Sequence, residues 1–197
     1  MIELGPGRGT LMRDLLRTFS AFPLFFQKLK RCSFVEMSPT LKNLQSDSVS
    51  KWTRDVDFEW IETVDGLSVK DDEIPILVAQ EFFDAIPVHV FKKDLDRWKE
   101  LKVAAFDSKL CLIEATSSLA NLYNLDKCFK SVPNGNTIEI SPSSWSICHQ
   151  ISKIFDRCGR GEGVIIDYGN FFPAKNSLRV SKAHPVSKFY ILGYLQT

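Results

Sequence analysis

Two kinds of residue stand where they can do chemistry: alternating glycines at Gly5, Gly7 and Gly9, and carboxylates beside apolar strand-like runs at Glu3, Glu36, Glu81 and Asp84. Three alternating glycines let a loop turn through positive φ and lie flat beneath a ligand that touches the main chain. Leu11, Leu15, Leu16 and Phe19 then recur at helical spacing, so the loop opens a helix whose first N–H groups face outward and favour a carboxylate or phosphate. Thr10 is placed to supply a side-chain oxygen near that helix start.

The spacing excludes two nucleotide motifs. A dinucleotide fingerprint needs G-x-G-x-x-G, and reading from Gly5 or Gly7 leaves Thr10 or Met12 at the third glycine. A P-loop needs a lysine between its last glycine and Ser or Thr, whereas Gly9 and Thr10 adjoin. The pattern that remains, E-x-G-x-G-x-G with Glu3 two residues ahead of Gly5, resembles motif I of class I methyltransferases that use S-adenosylmethionine. That ligand carries a sulfonium cation, an amino group and a carboxylate. A glutamate beside the loop suits it electrostatically.

Cys32-Ser33-Phe34-Val35-Glu36 reads as a short apolar strand ending in a carboxylate, followed by Ser38-Pro39 as a helix cap and first-turn proline. A carboxylate there accepts hydrogen bonds from ribose hydroxyls in nucleotide-binding α/β sheets. A solvated strand-end glutamate is the plainer alternative.

Pro75-Ile76-Leu77-Val78-Ala79 is a continuous apolar run, typical of a strand buried on both faces, and Gln80-Glu81-Phe82-Phe83-Asp84-Ala85-Ile86-Pro87 follows it directly. Should residues 82–85 turn helically, Glu81 and Asp84 project toward one side, beside a transferred methyl group. Two carboxylates there grip a guanidinium or ammonium, orient it by bidentate hydrogen bonds and stabilise the charge it keeps, while one accepts the departing proton. Glu81 is the first choice for this contact and Asp84 the second. The alternative is a carboxylate pair favoured by a helix start, with Phe82 and Phe83 in the core.

The elements that must position these groups follow from the same pattern. With 197 residues, 44% hydrophobic and 25% charged, the chain has the length and composition of one globular domain with a real core. Lys plus Arg number 25 against 24 acidic residues, so no strong field draws it to nucleic acid or an acidic membrane. The five cysteines are odd in number and lack C-x-x-C spacing, which points to reduced buried thiols and to no metal site. No apolar run reaches the roughly 18 residues of a membrane span. Strand and helix signals alternate to residue 79, arguing for a parallel sheet with right-handed crossovers. Val88 to Phe91, Trp98 to Phe106 and Leu110 to Ala115 then read as an antiparallel insertion at roughly 88–140. Helical spacing returns from Pro142 to about Arg157, with Ser141 as a cap, before another buried strand at Val164–Tyr168 and one more at Tyr190–Leu195.

Other polar features read plainly. His89 and His149 stand apart from any ligand-spaced cysteine or carboxylate, and His184 precedes Pro185. No G-x-S-x-G supports serine hydrolysis. Asp167-Tyr168-Gly169 ends a strand at the presumed ligand face and supports either a substrate pocket or an ordinary turn. Lys28 to Arg31 reads as a solvated basic face.

Taken in order, E-L-G-P-G-R-G-T-L-M, V-E-M-S-P, Q-E-F-F-D-A-I-P-V-H, I-E-I-S-P and V-I-I-D-Y-G resemble the MidA-type family of protein arginine methyltransferases, mitochondrial assembly factors for respiratory complex I. The resemblance runs from Glu3 to about Gly169 and implies a Rossmann-like class I fold. It also implies S-adenosylmethionine as cofactor and symmetric dimethylation of an arginine in a complex I core subunit, in the mitochondrial matrix. Gly5, Gly7 and Gly9 fall on the family's cofactor loop, Glu36 on its ribose acid, and Glu81 and Asp84 on its E-F-F-D signature. Members carry a helical region before the loop and a long portion after D-Y-G, so the expectation is a single domain incomplete at both ends, with no targeting segment. A non-catalytic binding protein of the same family and a small-molecule methyltransferase are the competing functions.

Overall fold

The computed structural model describes residues 1–106, 109–115, 119–121, 123–168 and 191–193. In chain order its elements begin with β1 (Ile2–Leu4), α1 (Thr10–Phe19), the single turn α2 (Pro23–Phe26), β2 (Arg31–Val35), α3 (Pro39–Val49), β3 (Asp57–Ile61) and β4 (Ile76–Gln80). Next come β5 (His89–Asp94), β6 (Arg97–Phe106), β7 (Lys109–Glu114), α4 (Leu125–Cys128) and β8 (Thr137–Ile140). α5 (Pro142–Cys158), β9 (Glu162–Asp167) and β10 (Ile191–Gly193) complete the series. Met1–Ala85, Ser144–Tyr168 and β10 belong to one compact unit, and Ile86–Ser143 to a second.

The first unit is built on a six-stranded sheet in the order β10-β9-β4-β1-β2-β3, parallel except for β10. β1 is central and short. Ile2, Glu3 and Leu4 pair with Ser33, Phe34 and Val35 on one side and with Leu77, Val78 and Ala79 on the other, so ladders on both edges hold its backbone groups. The chain steps outward from β1 through β2 to β3, then returns to place β4 on the other flank of β1. That reversal makes the carboxyl ends of β1 and β4 the switch point where such sheets bind ligands.

Period-2 alternation sends the strand residues into two cores. Ile2, Leu4, Val35, Leu77 and Ala79 pack with Ile151, Ile154 and Cys158 of α5. On the opposite face Cys32 and Phe34 pack with Met12 and Leu16 of α1, Val49 of α3, and Trp52. The helices form because their apolar residues repeat at spacings of three and four.

One expectation fails here. The apolar run from Val164 predicts another buried strand, yet Val164 and Ile166 of β9 are 47% and 36% exposed. α1 and α3 pack over the β2–β3 side of the face that Val164 and Ile166 share, and among the described residues neither of the two joins that core. Similarly, of the five cysteines only Cys32 and Cys158 are buried; Cys111, Cys128 and Cys148 are exposed.

The second unit is a four-stranded antiparallel sheet, β7-β6-β5-β8. Phe91, Trp98, Ala120, Leu125 and Ile140 form its core.

Candidate functional site

The loop after β1 adopts the left-handed backbone that its glycines permit, with φ of 60° at Gly5, 54° at Gly7 and 74° at Gly9. Gly5 also has a neighbour that tolerates no side chain: a Cβ there would stand 2.8 Å from Cδ2 of Phe82. At Gly7 nothing among the described residues lies within 4 Å of such an atom, so they leave the loop open above its middle. The Gly5 N–H donates to the Val35 carbonyl (3.1 Å) and the Gly9 N–H to the Pro6 carbonyl (2.8 Å), which fixes the turn at both ends.

Thr10 is not the cap of α1. Gly9 occupies the N-cap position and Thr10 begins the helix with its side chain exposed. The Glu3 carboxylate takes over that duty by accepting the Met12 N–H. Glu3 is only 3% exposed, and its Oε2 has no hydrogen-bond partner among the described residues. Burial pushes its carboxyl up to about 7, against the opposing pull of the Met12 N–H.

Glu36 follows β2 and is locked into the sheet edge by its own N–H, which donates to the Ile61 carbonyl (2.9 Å). Its Oε1 accepts the Ser38 N–H (2.8 Å), and its Oε2 accepts Nε2 of Gln45 (3.1 Å). Ser38 caps α3 as read from sequence, with its hydroxyl accepting the Leu41 N–H (3.4 Å).

The acidic turn after β4 is organised by β9. Glu81 takes a left-handed φ of 49° and donates its N–H to the Ile166 carbonyl (2.7 Å), and Phe83–Ala85 form a single 3₁₀ turn. Glu81 therefore lies outside the helical turn, and the simple helical spacing of the two carboxylates does not apply. They are gathered around Tyr168 instead, whose hydroxyl donates to the Asp84 carboxylate and feels the charges of Asp84, Asp167 and Glu81; together these push its ionisation up. Glu81 and Asp84 are both solvent-exposed, while Phe82 and Phe83 are half-buried and pack against the α5-side core.

Asp167 holds this turn in place. Its Oδ2 accepts the Asp84 N–H (3.1 Å), its Oδ1 accepts the Tyr168 N–H (2.9 Å), and the Phe83 N–H bonds to it as well. Burial pushes the Asp167 carboxyl up, the Tyr168 N–H opposes this, and the neighbouring Asp84 charge adds to the rise. D-Y-G by itself reads either as a pocket wall or as an ordinary turn; the bonds make Asp167 the cap of the acidic turn.

Gln45 and Phe82 were missed as site residues. Gln45 has a signal in hindsight: Leu41, Gln45 and Val49 share one stripe of α3, and an amide on an inward stripe needs polar partners. Phe82 carried none, since an aromatic beside a buried strand reads as core.

Two plain readings change. His89 meets a carboxylate that spacing did not reveal, its Nδ1 lying 3.0 Å from Oε1 of buried Glu100 across the antiparallel sheet. Arg31 is not part of a solvated face: its guanidinium bonds the Glu73 carboxylate (2.8 Å) and the Ser68 carbonyl (2.6 Å), pinning the β3–β4 connection. His184 lies outside the described residues. Among the described residues no cluster of His, Cys, Asp and Glu is arranged to hold a metal, and no helix is long and apolar enough to cross a membrane.

Comparison with known proteins gives concordant results. A family profile described as "Putative S-adenosyl-L-methionine-dependent methyltransferase" matches residues 1–193. The chain is 28% identical over 208 residues to the mitochondrial protein arginine methyltransferase NDUFAF7 of Xenopus tropicalis, covering 93% of this chain and 46% of that protein. The human protein of that name is 28% identical over 192 residues, covering 86% of this chain and 42% of its own length. The chain thus spans less than half the length of these relatives. Among solved structures, a superfamily member from Burkholderia thailandensis bound to S-adenosyl-homocysteine superposes with a TM-score of 0.61 at 19% identity, covering 86% of this chain and 41% of that one. That likeness establishes the Rossmann-like class I fold. Because the profile runs from the first strand to the last, the chain belongs to this family of S-adenosyl-L-methionine-dependent methyltransferases.

Proposed function

We propose that this chain carries the cofactor and acceptor sites of a protein arginine methyltransferase that symmetrically dimethylates an arginine in a respiratory complex I core subunit, in the mitochondrial matrix. The observation that carries the reading is the contact of Phe82 with Gly5, which sets the E-F-F-D turn directly against the glycine loop. The names of the arginine methyltransferase relatives support the acceptor. The whole chain acts as one methyltransferase-like domain, with 88–140 as its insertion.

The residues fit S-adenosylmethionine. Glu3 offers a buried carboxylate oxygen that lacks a donor, and a buried acceptor of this kind favours a ligand that brings a cation or N–H. The open space over Gly7 admits a ligand onto the main chain. Glu36 is held by two N–H donors and keeps acceptor capacity on both oxygens for ribose hydroxyls. Gly5, Gly7, Gly9 and Thr10 form the loop and helix start beneath the cofactor. When bound, S-adenosylmethionine supplies an electrophilic methyl group on sulfonium, and the bond to sulfur breaks with its electron pair remaining on sulfur.

Glu81 and Asp84 hold the acceptor. A guanidinium is a weak nucleophile, charged up to a pKa above about 12, so the protein must orient it and remove a proton. The two carboxylates grip its N–H groups, and a carboxylate oxygen of Glu81 receives the proton released as the nitrogen is methylated. Asp84 is oriented by Tyr168, and the turn beneath it by Asp167.

The test has two stages. Isothermal titration of the folded chain with S-adenosylhomocysteine is expected to show binding, and its absence sinks the cofactor assignment. Mass spectrometry of a complex I core subunit incubated with S-adenosylmethionine is then expected to show dimethylarginine with the wild type and none with Gly7→Val. Glu81→Gln combined with Asp84→Asn is expected to bind S-adenosylhomocysteine normally and transfer nothing. Wild-type binding without transfer to protein favours a binding role or a small-molecule acceptor.

A further inference from the structure

We propose that Gln45 is the positioning residue of the cofactor site, fixing together the Glu36 carboxylate and the Gly7 peptide; this rests on the S-adenosylmethionine reading above. Gln45 is 0% exposed, on the α3 stripe it shares with Leu41 and Val49. Packing at such a position calls only for an apolar side chain, and a buried amide is destabilising unless its bonds are made. Its amide makes three bonds, two to parts of the site and one to the sheet core. Nε2 donates to the Gly7 carbonyl (2.7 Å) and to Oε2 of Glu36 (3.1 Å), and Oε1 accepts the Trp60 indole N–H (2.9 Å).

The orientation of the amide follows from these partners. Reversed, its oxygen would face two acceptors and its NH₂ would face the Trp60 N–H, so only one arrangement satisfies all three contacts. Trp60 stacks on the fully buried Phe34 with ring centroids 5.4 Å apart, which ties the amide to the sheet core. Two consequences reach the cofactor. Glu36 is presented in one rotamer, its carboxylate bracketed by the Ser38 N–H and Gln45. The trans peptide that points the Gly7 carbonyl at Gln45 turns the Arg8 N–H to the other side of the loop. α3 makes a second such grip, since the Ser48 hydroxyl donates to the Gly9 carbonyl (3.0 Å) and a Cβ on Gly9 would lie 3.1 Å from Cα of Gln45.

The test measures S-adenosylhomocysteine affinity by isothermal titration, with circular dichroism and thermal unfolding to verify folding. Gln45→Leu is expected to weaken binding by about tenfold or more, as removal of a hydrogen bond to a charged group does. Glu36→Ala is expected to do likewise, and the double variant to lose less than the product of the single losses. Gln45→Glu supplies a readout that mere packing does not move. Flanked by the Glu36 carboxylate and the Gly7 carbonyl, the new carboxyl is ionised at about pH 8 and repels both, while at about pH 5.5 it is protonated and donates one bond. Its affinity, as a ratio to wild type at the same pH, is therefore expected to fall about tenfold or more at the higher pH and to recover to within about threefold at the lower. Should Gln45→Leu not fold, this ratio decides the matter. Wild-type affinity in folded Gln45→Leu, or a ratio for Gln45→Glu that is flat with pH, overturns the role of Gln45 while leaving the cofactor reading intact. No binding by the wild type overturns both.

Discussion

The ring of Phe82 lies so close to Gly5 that a single added methyl would stand 2.8 Å from its Cδ2. Gly5 also sits at φ 60°, where an L side chain costs about 1–2 kcal/mol. Gly5→Ala is therefore expected to destabilise the chain by about 2 kcal/mol or more by urea unfolding, strain and clash together. Phe82→Ala is expected to be less damaging in the Gly5→Ala background than in the wild type, because it removes the clash but leaves the strain. Additive effects in that cycle would refute the contact.

Glu3 is expected to make stability and cofactor affinity run in opposite directions with pH. Its carboxyl is raised from 4.5 to about 7 in the folded chain, so the folded state holds a proton that the unfolded state has lost. Stability is accordingly full below about pH 4.5 and declines as pH rises through 7, by up to about 3 kcal/mol in all. Glu3→Gln is expected to abolish this decline and to be the more stable protein at about pH 8, measured by urea unfolding at several pH values. A variant with the wild-type slope would show that Glu3 is not the group responsible.

Ionised Glu3 is the form that favours a cationic ligand. Affinity for S-adenosylmethionine is expected to rise as pH increases from about 5.5 to about 6.5, below the range in which the ligand's amino group itself titrates. Calorimetry in buffers of different ionisation enthalpy is expected to detect proton release on binding near pH 7. The Glu3→Gln variant should bind more weakly, with no such release.

Tyr168 and Asp167 are expected to act on the acidic turn and not on the cofactor. Tyr168→Phe removes the hydroxyl donated to Asp84, and Asp167→Asn weakens the cap on the Phe83, Asp84 and Tyr168 N–H groups. Each is expected to lower transfer to an arginine substrate by about tenfold with S-adenosylhomocysteine affinity unchanged. A parallel loss of affinity would place these residues in the cofactor site instead.

The two faces of the sheet are unequal. Leu77 is 1% exposed in the α5-side core, whereas Val164 is 47% exposed on a neighbouring strand. Leu77→Ala is expected to cost about 2–5 kcal/mol in urea unfolding, and Val164→Ala less than about 1 kcal/mol. A comparable loss at Val164 would mean that the face is covered in solution.

These cases divide sharply by how far along the chain each cause lies. The glycine loop, the Ser38 cap and the apolar runs of β2 and β4 were legible because glycine spacing, cap chemistry and period are local properties of backbone and side chain. β5, β6 and β7 of the second unit were legible for the same reason, whereas β8 was not read from the sequence as a strand. The exposure of Val164 and Ile166 was not, because an apolar run looks the same whether or not a helix covers it.

By itself, then, the sequence determined a turn of positive-φ glycines at a strand end, followed by acids at the ends of the next strands, and through them the family. What only the tertiary structure decided is which atoms meet. Gln45 reaches Gly7 across 38 positions and Asp167 reaches the Asp84 N–H across 83. The orphaned oxygen of Glu3 exists only because the sheet and α1 close over it. Hydrogen bonds and burial of this kind depend on register and packing between distant segments, and neither is written in local composition or spacing.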